Sequence, residues 1–173
     1  MKQTKKLALA AILSALGVVI LLLGSIITVL DLTAVAVASF LIMLAVIELG
    51  GAYPYLIWLV TGVLAVLLLP DKFGAALYLG FGGIYPIFKA IFERLHFAVA
   101  WVLKFSFFNT VLTVIIIVCN YLFRIPDTGL GFTLPVYAIC NAAFFFYDLA
   151  STSIITVYLI KLRERLGLGN FFK

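Results

Sequence analysis

From Leu7 to Leu30 the chain reads LALAAILSALGVVILLLGSIITVL, without one charged residue. A bilayer hydrocarbon core needs about 20 consecutive apolar residues in a helix, so this run spans a membrane and constrains everything that follows. The basic start MKQTKK resembles a signal peptide, but the run is too long for an h-region. It lacks a small-x-small cleavage site and leads into more apolar sequence, so it is read as span one. Asp31 interrupts it. Span two is then Thr33 to Leu49, with turn chemistry at Gly50-Gly51-Ala52-Tyr53-Pro54, and span three is Tyr55 to Leu69, ended by Pro70-Asp71-Lys72. Span four runs from Phe73 to about Phe92 with a kink expected near Pro86. Glu93, Arg94 and His96 form a short polar connection to span five, Phe97 to Phe123. The loop Arg124 to Thr133 precedes span six, Leu134 to about Leu162.

The expected fold is therefore an all-α integral membrane protein, a compact bundle of six transmembrane helices forming one domain over residues 1–173. Composition agrees, with 66% hydrophobic and 11% charged residues, too few charges to clothe a soluble domain of this length. Six spans with short loops leave no room for an appended catalytic, nucleotide-binding or receptor domain. Spans alternate direction, so an inner amino terminus returns the carboxyl terminus to the same side. The inner side then collects Lys2, Lys5, Lys6, Lys89, Arg94, Lys104, Lys161, Arg163, Arg165 and Lys173, leaving Lys72 and Arg124 outside. This positive-inside asymmetry predicts both termini in the cytoplasm of a multi-pass protein of a bacterial-type plasma membrane. The net charge of +5 reports that topology and attraction to anionic lipid, not nucleic acid binding, because the cations are divided among separate segment ends. No internal repeat supports an inverted-repeat carrier.

Enzyme signals are thin. His96 is the only histidine, so a multi-histidine metal site is impossible, and no motif supports a Ser-His-Asp triad. Cys119 and Cys140 lie in apolar runs and read as small hydrophobes, and no cofactor motif is present. Gly80-x-Gly82-Gly83 lies inside a span without the strand-to-helix context of a phosphate loop, so its glycines are expected to permit close helix contact.

Small residues crowd the first half of span one, where Ala11-x-x-x-Ala15 and Ala10-x-x-x-Ser14 place small side chains one turn apart on neighbouring faces. Ala34-x-x-x-Ala38 repeats the pattern in span two. Such pairs let helices approach closely in lipid, either inside the bundle or against a partner subunit. With a Lys-rich start running into LALAAILSALGVVILL, this Ala-x-x-x-Ala pair and six spans in a chain of this length, the sequence resembles the substrate-binding S component of an energy-coupling factor vitamin transporter. The likeness extends over the whole layout, and the segment FGGIYPIFKAIFERL, Phe81 to Leu95, looks similar too. Unlike many members, the chain has almost no first outer loop, Leu30 to Leu32 making barely a turn. The resemblance implies capture of a vitamin or trace nutrient on the outer side. It also implies docking of Ala11 and Ala15 on a transmembrane coupling subunit that two cytoplasmic ATPases drive.

Charges inside spans are expensive unless paired or wet. At about 1.5 Å per residue, Glu48, Lys89, Lys104 and Asp148 all fall in the inner third of the bilayer. Two acids and two bases at one depth predict Glu48–Lys89 and Asp148–Lys104 pairs, or the crossed arrangement. They fix helix register, snorkel to the inner surface or relay a cation or proton. The outer half carries Asn120, Tyr121, Arg124, Asp127, Thr133, Tyr137 and Asn141, which with Tyr78 are candidates to ring a small polar molecule. Interfacial tyrosines and helix-gluing asparagines are the ordinary alternative. Beside nutrient capture stand two other function classes, a self-contained small carrier or channel using the inner charged layer and a structural membrane assembly protein without ligand.

Overall fold

A computed structural model describes residues 2–27, 30–118 and 134–163. Every regular element among them is helical: α1 (Lys2–Ile26), α2 (Asp31–Glu48), α3 (Tyr53–Leu68), α4 (Lys72–Leu77), α5 (Tyr85–Phe92), α6 (Phe97–Ile117) and α7 (Leu134–Val157). A π-helical turn, Tyr78–Gly82, joins α4 to α5, and another, Tyr158–Leu162, continues α7. Counting α4, the turn and α5 as one rod, six helical rods result, five of them long and apolar enough to cross a membrane. The sixth, α3, has 16 residues, about 24 Å against a core of roughly 30 Å. Large apolar side chains such as Leu67, Val102, Phe146 and Ile160 lie mostly exposed. A surface of this kind fits a multi-pass membrane protein, because water would penalise it and lipid does not.

Local chemistry sets the ends. Gly50 and Gly51 take left-handed φ of 61° and 57° in the turn before α3. Pro54 falls within the first turn of α3, where its missing N–H is no loss, so the helix begins ahead of the Tyr55 expected from sequence. Pro70 drives Leu69 into extended backbone, which stops α3. Lys72 donates to the orphaned carbonyls of Val66 and Leu69 at 2.8 and 2.6 Å, while the Asp71 carboxylate caps α4 by accepting from the Phe73 N–H at 3.0 Å.

The break in span four lies upstream of Pro86. Proline clashes with the carbonyl four residues back, here that of Gly82, and the chain answers by widening to a π turn in which the Gly83 N–H bonds the Tyr78 carbonyl at 2.8 Å. The three glycines of this segment each face a neighbour: Gly80 meets Ile115, Gly82 meets Val35, and Gly83 meets Trp58 and Tyr78. They do permit close helix contact. Elsewhere Gly24 abuts Ala34 and Gly17 abuts Thr61, so α1 lies close against α2 and α3. With little hydrophobic drive between helices in lipid, such small contacts carry the packing.

Both ends of the described bundle meet at one end of α2. Lys6 donates to the Leu49 carbonyl at 3.3 Å, and Arg163 pairs with Glu48 at 3.1 Å. The start of α1 and the end of the last helix therefore lie on the same side, as an even number of spans requires.

Candidate functional site

A layer of charge lies near that end, between α5, α6 and α7. Lys89 of α5 reaches Asp148 Oδ1 on α7 at 2.5 Å, and Lys104 of α6 reaches Asp148 Oδ2 at 2.9 Å. Both lysines also contact Glu93 Oε1, at 2.6 and 2.9 Å. Two ammonium groups thus meet two carboxylates, and the layer is neutral. The side chains of Lys89 and Asp148 are 2% exposed and that of Lys104 5%, whereas Glu93 is 39% exposed at the rim. Tyr85 donates to Asp148, and Lys89 donates to Thr152 Oγ1 at 2.8 Å. No buried side-chain nitrogen or oxygen among the described residues lacks a partner, the condition under which ions persist in a dry interior.

Asp148–Lys104 is formed as expected, but Glu48–Lys89 is not. Glu48 ends α2, facing the end of α7, and there it accepts from the Tyr158 hydroxyl and pairs with Arg163, each at 3.1 Å. Lys89 faces α7 instead and takes Asp148. The fourth member of the layer is Glu93, which the sequence reading leaves in a connecting loop. Its spacing from Lys89, one helical turn at i and i+4, is the signal that finds it.

Tyr137 and Asn141 share one face of α7, as their spacing predicts, and both turn onto α6. Asn141 and Asn109 exchange amide hydrogen bonds at 2.9 Å in each direction, and the Tyr137 and Thr113 hydroxyls lie 2.8 Å apart. These groups glue two helices together, Asn109 being the partner that Asn141 meets on α6. Asn120 and Arg124 fall outside the described residues, as do Tyr121, Asp127 and Thr133. Tyr78 is buried in a cluster with Leu21, Val35, Ala38 and Ala65, on the side of α1, α2 and α3. Of the residues expected to ring a ligand, Tyr137 and Asn141 thus bond to α6, while Tyr78 packs toward α1, α2 and α3.

What opens in that half of the bundle is a cavity of about 390 Å³ between α2, α4 with its π turn, α6 and α7. Val35, Phe73, Phe81, Phe108, Leu112, Ile115, Phe144 and Tyr147 are among its walls. It differs from the polar pocket expected: the described lining is apolar except for the Cys140 thiol and the Tyr147 hydroxyl, the latter 2.6 Å from Ser39 Oγ on α2. Phe108 and Phe144 stack with centroids 4.4 Å apart and planes 8° apart, and Phe81 stacks on Tyr85 at 5.0 Å. Tyr85 thus links the cavity wall to the charge layer, its ring on Phe81 and its hydroxyl on Asp148. A second apolar cleft, about 350 Å³, lies lower between α2 and α7, bordered by Phe40, Met43, Ile47 and Tyr158.

On α1 the two small-residue pairs separate by face. Ala10 and Ser14 are buried against the bundle, whereas Ala11 and Ala15 are exposed. Comparison with models of protein families, with curated proteins and with solved structures finds no match for this chain.

Proposed function

We propose that this chain is the membrane-embedded substrate-capture subunit of an ATP-driven vitamin or micronutrient uptake transporter, set in a bacterial-type plasma membrane with both termini cytoplasmic. The observation that carries this reading is the cavity at the end of the bundle remote from α1's start, with a saturated charge layer beneath it. Under the positive-inside orientation that cavity faces outward, where a nutrient arrives, and the neutral layer seals the inner side. The exposed Ala11–Ala15 face of α1 supports docking on a transmembrane coupling subunit, which ATPase subunits would drive.

Purification of the chain from its own membrane in mild detergent, followed by native mass spectrometry, tests this. Expected are a coupling subunit and ATPases with the chain, and their loss in an Ala11→Leu, Ala15→Leu double variant of unchanged thermal stability. Purification alone, together with unaided uptake in liposomes, would overturn the reading. It would favour a self-contained carrier working through the Lys89–Asp148–Lys104 layer, which the half-exposed Glu93 connects to the solvent on the inner side.

A further inference from the structure

We propose that the cavity takes a neutral, ring-bearing lipophilic molecule, and that this ligand enters from the bilayer between α2 and α7. This rests on the capture reading above and narrows its substrate class. A charged or richly hydroxylated ligand would leave its water behind and meet, among the described lining, the Cys140 thiol and a Tyr147 hydroxyl already engaged with Ser39. Each unmet polar group weakens binding by roughly ten- to a hundredfold, so several of them abolish it. Water is a poor occupant too, since the described walls offer it few hydrogen-bond partners.

The walls select further. Phe81, Phe108, Phe144 and Tyr147 form one aromatic side, held in place by mutual ring contacts of 4.4 to 5.8 Å. A flat ring gains offset or edge contacts there beyond the area it buries, a gain that a flexible hydrocarbon chain forgoes while also losing rotamer freedom. At the ~30 Å³ that a water-sized group occupies, about 390 Å³ admits roughly a dozen non-hydrogen atoms, the size of a fused two-ring molecule. The route follows from the rim. Leu32 on α2 and Ile139 on α7 both line the cavity, and they are 63% and 69% exposed. Among the described residues, the hydrogen bonds and ion pairs joining α2 to α7 and its π-turn extension lie below it, at Ser39–Tyr147 and at Glu48 with Tyr158 and Arg163.

Cys140 makes the cavity's occupancy measurable. With Cys119→Ser it is the one thiol left, and its alkylation by N-ethylmaleimide is followed by mass spectrometry on the full chain in lipid nanodiscs. Naphthalene at about ten times its Kd is expected to slow alkylation by about tenfold, because only the empty fraction reacts. Hexadecane, standing for a lipid chain, and xylose, standing for a polar nutrient, are expected to leave the rate unchanged. An Ala36→Phe, Val111→Phe variant, filled from two walls, should lose the naphthalene effect. Equal protection by hexadecane, protection by xylose, or none by naphthalene in the parent would each overturn the proposal, whether or not the filled variant folds. None of these outcomes depends on coupling subunits, so this inference and the capture reading fail separately.

Discussion

Replacing Asp148 by asparagine keeps the volume and removes one charge from the buried layer. With Lys89 at 2.5 Å and Lys104 at 2.9 Å, each contact has a gross Coulomb energy of about 6 kcal/mol at an effective dielectric constant near 20. Desolvation offsets most of that, and removal of one partner from a buried network leaves a net loss of roughly 3–5 kcal/mol, because the remaining ions keep their burial without their counterion. Asp148→Asn leaves the surplus positive charge on lysines at most 5% exposed. Lys104→Met leaves a surplus negative charge instead, and Glu93, 39% exposed, carries it into solvent, for a loss of about 1–2 kcal/mol. Neutrality returns in Asp148→Asn, Lys104→Met, where Lys89 keeps Glu93. That double variant is expected to be more stable than Asp148→Asn alone, with a coupling of about 2 kcal/mol or more. Unfolding by dodecyl sulfate in maltoside micelles, followed by circular dichroism, measures all four corners of the cycle. Additive losses would show that the three residues do not form one neutral unit, and would refute the reasoning.

Other outcomes follow from single contacts. Asn141→Ala should lower stability by about 0.5–2 kcal/mol, and Asn109→Ala, Asn141→Ala by little more, since the two amides serve each other; the same micellar unfolding checks this. Gly24→Val places a branched side chain against Ala34 and should lose about 1–3 kcal/mol, read as a lowered thermal midpoint. In a cysteine-free background, Pro70→Cys should react with an impermeant thiol reagent added outside intact cells and Ala52→Cys should not, both positions being exposed; the reverse pattern overturns the orientation.

The common depth of Lys89, Lys104 and Asp148 was legible in the sequence, because helix rise is constant. Glu48, in contrast, lies nearer the end of the bundle, beside Tyr158 and Arg163, and the partners were not legible. Pairing also depends on which helices are neighbours and how each is rotated, and one sequence carries neither. Glu48 therefore meets Arg163, and Lys89 meets Asp148. Asn109 was legible in principle, since an amide within FSFFNTVL needs a partner as much as Asn141 does. The aromatic wall was not, because Phe81, Phe108 and Phe144 have the same composition as side chains facing lipid, and apolarity on all sides erases the periodicity that separates inside from outside in a soluble helix. Pro86 announced a break, but the clash it creates acts four residues back, so the distortion falls at Tyr78–Gly82.

The two ends of the bundle are held by different forces, and the cavity is a consequence of that difference. Near the charge layer, α5, α6 and α7 are tied by ion pairs whose loss exposes uncompensated charge, so separation there is steeply unfavourable. Half-way along, Asn109–Asn141 and Thr113–Tyr137 fasten α6 to α7 with neutral hydrogen bonds, each contributing about 0.6–2 kcal/mol in a bilayer. On the other side α7 meets α2 through Ser39–Tyr147, with the rings of Phe81, Phe108, Phe144 and Tyr147 bordering the space between. Bulky rings keep backbones apart, whereas the Gly24–Ala34 and Gly17–Thr61 contacts bring α1 against α2 and α3. A bundle packed tightly on its α1 side and pinned by charge between α5, α6 and α7 opens where α2 and α7 face each other, in the larger cavity above Ser39 and the smaller cleft below it. Tyr85 ties the wall of the larger cavity to the charge layer through Phe81 and Asp148.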